Sequence, residues 1–379
     1  MSGALIQLVS KGMQDVYLTS DDGHSFFRMK FMRHTNFSQA PKYIKNISDK
    51  DVSIKIPVLG DVINGLWFES SSLNSNANIA SNLFFNSTLD LFIGGQKVDS
   101  QPYDYFGDIW PNYLADTWNK TQELNNKTST SNYTFVPLHF FFCDHKAFLP
   151  LIALQHHQVE IKINFDETAI ANCTENEKKA EFYGNYIYLD KEERESLISR
   201  TLDFVVTQTQ RLELPLESVT DNTTQSGGYN KLDISSFNHP VKSLFFGYGT
   251  STSNFAGDRF SFTNADLLIN GVSFLEKMSP TYFHTVQNYY KSNYGQTEFD
   301  IDSHTGVYTR YFVYHFCLNA SEYNPSGSCN FSRLDDAKLI LRGVEKGELR
   351  PSNQDMYVHA VNYNVLRIKD GLAGILFGN

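Results

Sequence analysis

LDLFIGGQKVDSQPYDYF, from Leu89 to Phe106, is a strand, a tight turn, a second strand and the start of an aromatic segment. Leu89, Leu91 and Ile93 recur at every second position, the period of a half-buried strand. Gly94-Gly95 is a two-residue hairpin signal. ADLLINGVSFLEKMSPTYF, from Ala265 to Phe283, repeats the pattern around Gly271. There, Ser279 followed by Pro280 is a helix-start signature. Gly95 and Gly271 are 176 residues apart in a chain of 379. Matching flanks at nearly half the chain length imply two copies of one β-domain in tandem.

Outward from these stretches, helical periodicity is scarce and period-2 alternation is common. DVSIKIPVLGDV sets Val52, Ile54, Ile56 and Val58 on one face. HHQVEIKINFD does the same with Val159, Ile161 and Ile163, and MYVHAVNYNVLRI with Tyr357, His359, Val361, Tyr363 and Val365. Many short strands with turn chemistry between them predict β-sandwiches or barrels. YLDKEERESLIS predicts a short helix with Asp190 as N-cap and Glu193 placed for a capping box. The polar stretch Thr207 to Asn230, with one Pro and two Gly, is the expected seam between the repeats. Leu5, Leu8, Val9 and Gly12 lie at helical spacing and suggest an amphipathic N-terminal arm.

Composition narrows the function. A hydrophobic fraction of 41% and a charged fraction of 20% suffice for real cores, and the 14% of aromatic residues favours strands. The formal net charge is −10. No Lys/Arg cluster outweighs it, so direct nucleic-acid binding is not expected. The start MSGALIQLVSKGM has neither the pattern of a secretory signal nor the Met-Gly of myristoylation. FVPLHFFFCDHKAFLPLIALQHH is broken by Asp144, His145 and Lys146 and is too short to span a membrane. A soluble protein made in the cytosol is expected. Cys143, Cys173, Cys317 and Cys329 form no CxxC pair and are read as reduced thiols.

NPSGSCNFSRLDD, Asn324 to Asp336, has the residue mix of an active-site loop. Ser326, Ser328, Cys329 and Asp335, with His315 upstream, are its candidate nucleophiles and partners. No GxSxG elbow is present, and Asn324-Pro325-Ser326-Gly327 is turn chemistry, so the stretch is read as architecture with an Arg333–Asp335 ion pair. His156-His157 and Asp144-His145 are adjacent pairs that a strand would point to opposite faces, so no metal site is expected. No phosphate-cradling GxxxxGK[ST] or GxGxxG occurs. Asn-x-Ser/Thr triplets are frequent, as expected in an Asn/Ser/Thr-rich chain, and are read as unused.

Longer blocks carry a family resemblance. GALIQLVSKGMQDVYLTS with FFRMKFMRHTNF, FIGGQKVD, VPLHFFFCDHKAFLPLIALQHHQVEI, FNHPVKSLFF, LLINGVSF, PSGSCNFSRLD and YNVLRIKDGLAGILFGN occur in this order over nearly the whole chain. They resemble the major capsid proteins of large nucleocytoplasmic DNA viruses, of the iridovirus and phycodnavirus kind. DDGHS after YLTS, and Met32 in MRHTNF, depart from the family pattern. The resemblance implies an all-β double jelly roll with an arm over 1–22, a first jelly roll over 23–212 and a second over 213–379. It also implies a structural role without catalytic, metal or cofactor residues. The implied assembly is a homotrimer of pseudo-hexagonal outline that tiles an icosahedral shell. Minor capsid and penton proteins would be its partners, near an internal membrane, and assembly would take place in the host cytoplasm. A minor capsid paralogue or transient scaffold of the same fold is the alternative within the class. A carbohydrate-binding β-sandwich is the alternative outside it.

Overall fold

The computed structural model describes residues 12–19, 27, 33–50, 52–70, 83–117, 119–120, 135–173, 175, 178–216, 229–248, 259–293, 300–302, 306–346 and 355–378. Met1–Asn36 and Phe37–Asn379 are separate compact units. In the first, a single 3-10 turn, Asp15–Tyr17, is described. The arm positions Leu5, Leu8 and Val9 lie outside the described residues.

The first half of the larger unit supplies β1 (Phe37–Ser48), β2 (Ser53–Lys55), β3 (Val62–Ser70), β4 (Thr88–Ile93), β5 (Gln96–Pro102), β6 (Phe135–Pro137), β7 (Val159–Asn164) and β8 (Lys179–Leu189). They form two four-stranded antiparallel sheets, β1-β8-β3-β6 and β2-β7-β4-β5. The second half supplies β9 (Leu202–Pro215), β10 (Tyr229–Asp233), β11 (Pro240–Gly247), β12 (Phe260–Ser261), β13 (Asn264–Ile269), β14 (Val272–Met278), β15 (Asp300–Asp302), β16 (Gly306–Tyr308), β17 (Tyr311–His315), β18 (Cys329–Asn330), β19 (Ala337–Arg342), β20 (Glu345–Lys346), β21 (Asp355–Lys369) and β22 (Leu372–Ile375). Here the sheets run β9-β21-β11-β17 and β10-β19-β13-β14. Strand for strand, the two orders are the same. Eight antiparallel strands in two facing sheets, made twice, constitute a double jelly roll.

The two quoted stretches form equivalent hairpins. Gly94 and Gly95 have φ of 59° and 82°, and Asn270 and Gly271 have φ of 50° and 75°. Two consecutive positive φ values are what a tight antiparallel hairpin turn requires, and Gly and Asn tolerate them. Leu89, Leu91, Ile93, Val159, Ile161 and Ile163 all face the first core, as the alternation predicts. That core also holds Phe68, whose ring centroid lies 4.7 Å from those of Phe84, stacked on it, and Phe182, tilted against it. Each such fully buried side chain contributes about 1.5–3 kcal/mol. The second core is built likewise around Phe246, Phe260, Phe262 and Phe312.

Short helices connect the strands: α1 (Asp104–Leu114), α2 (Glu167–Ala171), α3 (Lys191–Ser199) and α4 (Tyr282–Val286, continuing as Gln287–Lys291). α1 is π-helical, and Ala115 N–H bonds to the Trp110 carbonyl five residues back. Asp190 caps α3 through the Lys191 N–H at 2.7 Å, as expected. The Ser279 hydroxyl accepts the Tyr282 N–H at 3.3 Å, the expected start of α4.

Three expectations are corrected. The strand expected over Val52 to Val58 is limited to β2. Ile54 and Ile56 are buried but Val52 and Val58 are exposed, and Pro57 has no N–H with which to continue the ladder toward Val58. The polar stretch beginning at Thr207 is not a linker as far as Pro215. It is the second part of β9, fully paired with β21. Within that expected seam, residues 217–228 lie outside the described residues, and Tyr229 and Asn230 begin β10. β21 was expected to bury one face, yet His359 to Asn364 are all buried, because a second layer covers its outer side. β9 also runs through 212/213, where the sequence places the division between the jelly rolls. Along the β9–β21 ribbon, Phe204, Val206, Leu366 and Ile368 pack in the first core, whereas Leu212, Met356 and Val358 pack in the second.

Candidate functional site

The layer over β21 is a buried seam between the halves, and α1 builds it. The helix follows β5 directly, so the first hairpin aims it. Tyr103 and Phe106 turn back into the first core. Tyr105, Ile109, Tyr113 and Leu114 pack instead on Phe245, Tyr311, Val313 and Val361, the outer face of the second half's sheet. The Tyr113 ring lies 5.5 Å from Phe245, and its hydroxyl donates to the Tyr311 carbonyl at 2.9 Å.

Charged groups are buried along this seam and paired across it. Arg310 Nη1 lies 2.8 Å from Asp108 Oδ2, with side chains only 8% and 3% exposed. Asp104 sits 3.8 Å from Arg211 and 3.9 Å from His359. Asp99 accepts the Thr209 N–H at 2.8 Å and a Gln101 amide hydrogen at 2.7 Å. The same amide donates to the His139 carbonyl at 2.9 Å. Burial pushes the Asp99 carboxyl up to about 6, against these hydrogen bonds. Burial also drives the His359 and His139 imidazoles down to about 3, and both are neutral at pH 7. The His139 ring stacks on Trp110 at 3.7 Å. Such paired, desolvated groups fix one relative orientation, since sliding the helix would strand a charge in an apolar setting.

The candidate nucleophiles are dispersed into architecture. Cys329 lies in β18 opposite Val241, and burial raises its thiol. The Ser326 hydroxyl donates to the Asn319 carbonyl at 3.1 Å and accepts the Asn319 N–H at 3.0 Å, closing a turn. Ser328 is exposed beside it. His315 is fully buried, 2.8 Å from the Ser243 hydroxyl, with its imidazole driven down to about 3 by burial. The expected Arg333–Asp335 ion pair is absent among the described residues. Asp335 and Asp336 instead donate their N–H groups to the Asn270 side chain at 3.0 and 3.3 Å. Thus the stretch that looked catalytic braces the second hairpin turn.

His156 and His157 do not form a site. The His156 N–H donates to the Gly371 carbonyl and His157 Nδ1 accepts the Ala373 N–H, tying β22 to the first half. Asp144 and His145 occupy a turn rather than a strand, so both can face Asp116. These three are the metal-capable group among the described residues. The Lys120 ammonium already stands 2.7 Å from Asp116 and 3.8 Å from Asp144, meeting the charge a cation would neutralise. The seam itself was missed from sequence. Its one visible trace was Asp104 and Asp108 in an otherwise aromatic segment, charges that a core helix carries only when paired.

Comparison with known proteins agrees with this architecture. Residues 25–190 match the family model described as major capsid protein N-terminus, and residues 193–374 match that of the large eukaryotic DNA virus major capsid protein. The major capsid protein of Pyramimonas orientalis virus is 30% identical over the whole of both chains. That of Paramecium bursaria Chlorella virus 1 is 28% identical, again over the whole of both. A quasi-atomic model of the PBCV-1 virus capsid superposes with a TM-score of 0.73 at 23% identity, covering 94% of this chain and 100% of that one. With two jelly rolls of one strand order and whole-length relatives of this kind, the chain belongs to the major capsid protein family of large eukaryotic DNA viruses and is a component of the virion shell.

Proposed function

We propose that the chain builds the shell as a homotrimeric capsomer of pseudo-hexagonal outline, in an icosahedral lattice, and that it catalyses no reaction. The observation that carries this reading is the identical strand order of two jelly rolls locked by a buried seam. Three copies of a rigid pair of similar towers present six similar faces, which fill one site of a hexagonal lattice. In this reading the towers are 23–212 and 213–379, joined by the shared β9–β21 ribbon, with 1–22 as an arm. Minor capsid and penton proteins contact the trimer from below and at the vertices, near an internal membrane. The net charge of −10 disfavours direct contact with the genome. Among the described residues, no helix is long and apolar enough to cross a membrane.

Light scattering on a sizing column tests the reading. A stable species of about three times the 43.3 kDa chain mass is expected. A clean monomer at all concentrations overturns it. Counting copies per virion separates a main capsomer from a minor paralogue of the same fold.

A further inference from the structure

The seam contact is made once within the chain, and both of its halves occur a second time, unused. α4 is the counterpart of α1. Asn112 and Asn288 each lie 17 residues after their turn glycine, and each is followed by Tyr. The Asn112 amide donates to the Asp108 carbonyl at 2.7 Å, and the Asn288 amide to the His284 carbonyl at 2.6 Å. Tyr113 and Leu114 are buried in the seam, whereas their counterparts Tyr289 and Tyr290 are 80% and 74% exposed.

The receiving face is duplicated too. Phe245 lies between the core residues Leu244 and Phe246, opposite His359 and Val313. Trp67 lies in the same way between Leu66 and Phe68, opposite Tyr183 and Pro137. The position of Tyr311, opposite Gly247, is taken by Phe135, opposite Glu69. That of Arg211 is taken by Tyr43, opposite Tyr183. Where the second half's face is covered by α1, the first half's face is open. Phe135 and Tyr43 are 41% and 49% exposed, and Tyr183 packs against Tyr43 and Trp67 at 5.7 and 5.8 Å.

We propose that α4 of one copy docks through Tyr289 and Tyr290 on the Tyr43–Trp67–Phe135–Tyr183 face of a second copy, repeating between chains the contact that α1 makes within one. The occupant is a second copy because the chain itself shows what this kind of face receives. Tyr289 takes the part of Tyr113, with its ring on Trp67 and its hydroxyl toward the Phe135 carbonyl. A helix on one half meeting a sheet on the other is a head-to-tail contact, the kind that generates a ring where its rotation closes, as a threefold capsomer requires. Clusters of exposed and half-buried aromatic side chains of this kind are the usual anchors of such contacts. The proposal rests on the capsomer reading and names its interface.

Two measurements on the full chain test it. Tyr289→Asp/Tyr290→Asp should raise the concentration at which the assembled species dissociates by at least about a hundredfold, since unpaired carboxylates would enter an apolar contact. Both positions are exposed, so the thermal transition of the single chain should be unchanged. Separately, Tyr289→Cys and Phe135→Cys chains, co-expressed and oxidised, should give a linked dimer that neither variant gives alone. If the unsubstituted chain assembles, and the Asp variant assembles as well with no cross-link, this contact is overturned and the capsomer reading stands. A monomeric unsubstituted chain sinks both.

Discussion

Replacing Arg310 with Ala tests the seam directly. Its guanidinium is 2.8 Å from the Asp108 carboxylate, and neither side chain is more than 8% exposed. Taking one member from a buried pair leaves the other desolvated without that partner, at a cost of about 3–5 kcal/mol. Removing both charges with residues of similar volume, Asp108→Leu with Arg310→Met, should cost little, since the pair repays its own desolvation only in part. A double-mutant cycle built from Arg310→Met, Asp108→Leu and the two together should therefore show a coupling of about 2 kcal/mol or more. Urea unfolding followed by the fluorescence of Trp110, which lies on the same helix, gives the midpoints, and an unchanged slope validates the comparison. An Arg310→Ala midpoint within about 0.5 kcal/mol of the parent, or a double variant as costly as the two single ones summed, would refute the claim that this pair locks the halves.

Acid should loosen the protein well before carboxylates in the ordinary range titrate. His139, His315 and His359 are held down to about 3 and His284 to about 4 by burial. The unfolded chain, near 6.5, binds those protons first, so their stabilisation is whole above pH 6.5 and is lost as pH falls below it. At pH 5 each costs about 2 kcal/mol. Asp99, raised to about 6, acts oppositely and returns about 1 kcal/mol over the same range; a urea midpoint that stays flat from pH 7.5 to 5 contradicts the sum. Gly247→Ala should abolish a soluble fold, since its Cβ would lie 2.1 Å from the Arg310 carbonyl oxygen. Gly271→Ala meets no neighbour and should cost only the strain of its φ of 75°, about 1–2 kcal/mol by thermal melt. Phe246→Ala, in the second core, should cost about 3–5 kcal/mol in the same melt. Cys329→Ser should leave assembly unchanged, and intact Cys329 should react slowly with a thiol reagent at pH 8, its thiol raised by burial.

Much of this fold was legible because its signals are local. Alternation at Leu89, Leu91 and Ile93 fixes a strand with one buried face, and Gly94-Gly95 and Asn270-Gly271 fix two turns, whatever the rest of the chain does. Their spacing gave the tandem repeat, and Asp190 gave a helix start. Where the reading went wrong, a distant partner decided the outcome. The polar residues from Thr207 to Gln210 looked like a linker. They are strand because Asp99 takes the Thr209 N–H, Asn362 takes a Gln210 amide hydrogen and β21 pairs with the whole length. Arg333 and Asp335, near in sequence, looked like an ion pair, but Asn270, 65 residues earlier, holds the Asp335 N–H.

By itself the sequence determined most of the elements, the doubling and the family resemblance, because periodicity, turn chemistry and long family-like blocks are written along the chain. Only the tertiary structure decided which aromatic residues are spent inside one copy and which are left for another. Tyr113 and Tyr289 stand in the same Asn-Tyr context, and nothing local distinguishes them. One is covered because the second half's sheet lies beneath it, and the other is 80% exposed, with no such sheet beneath it among the described residues. Burial is a property of what lies opposite, and that is set by packing across 100 to 200 residues of chain rather than by the residue's neighbours.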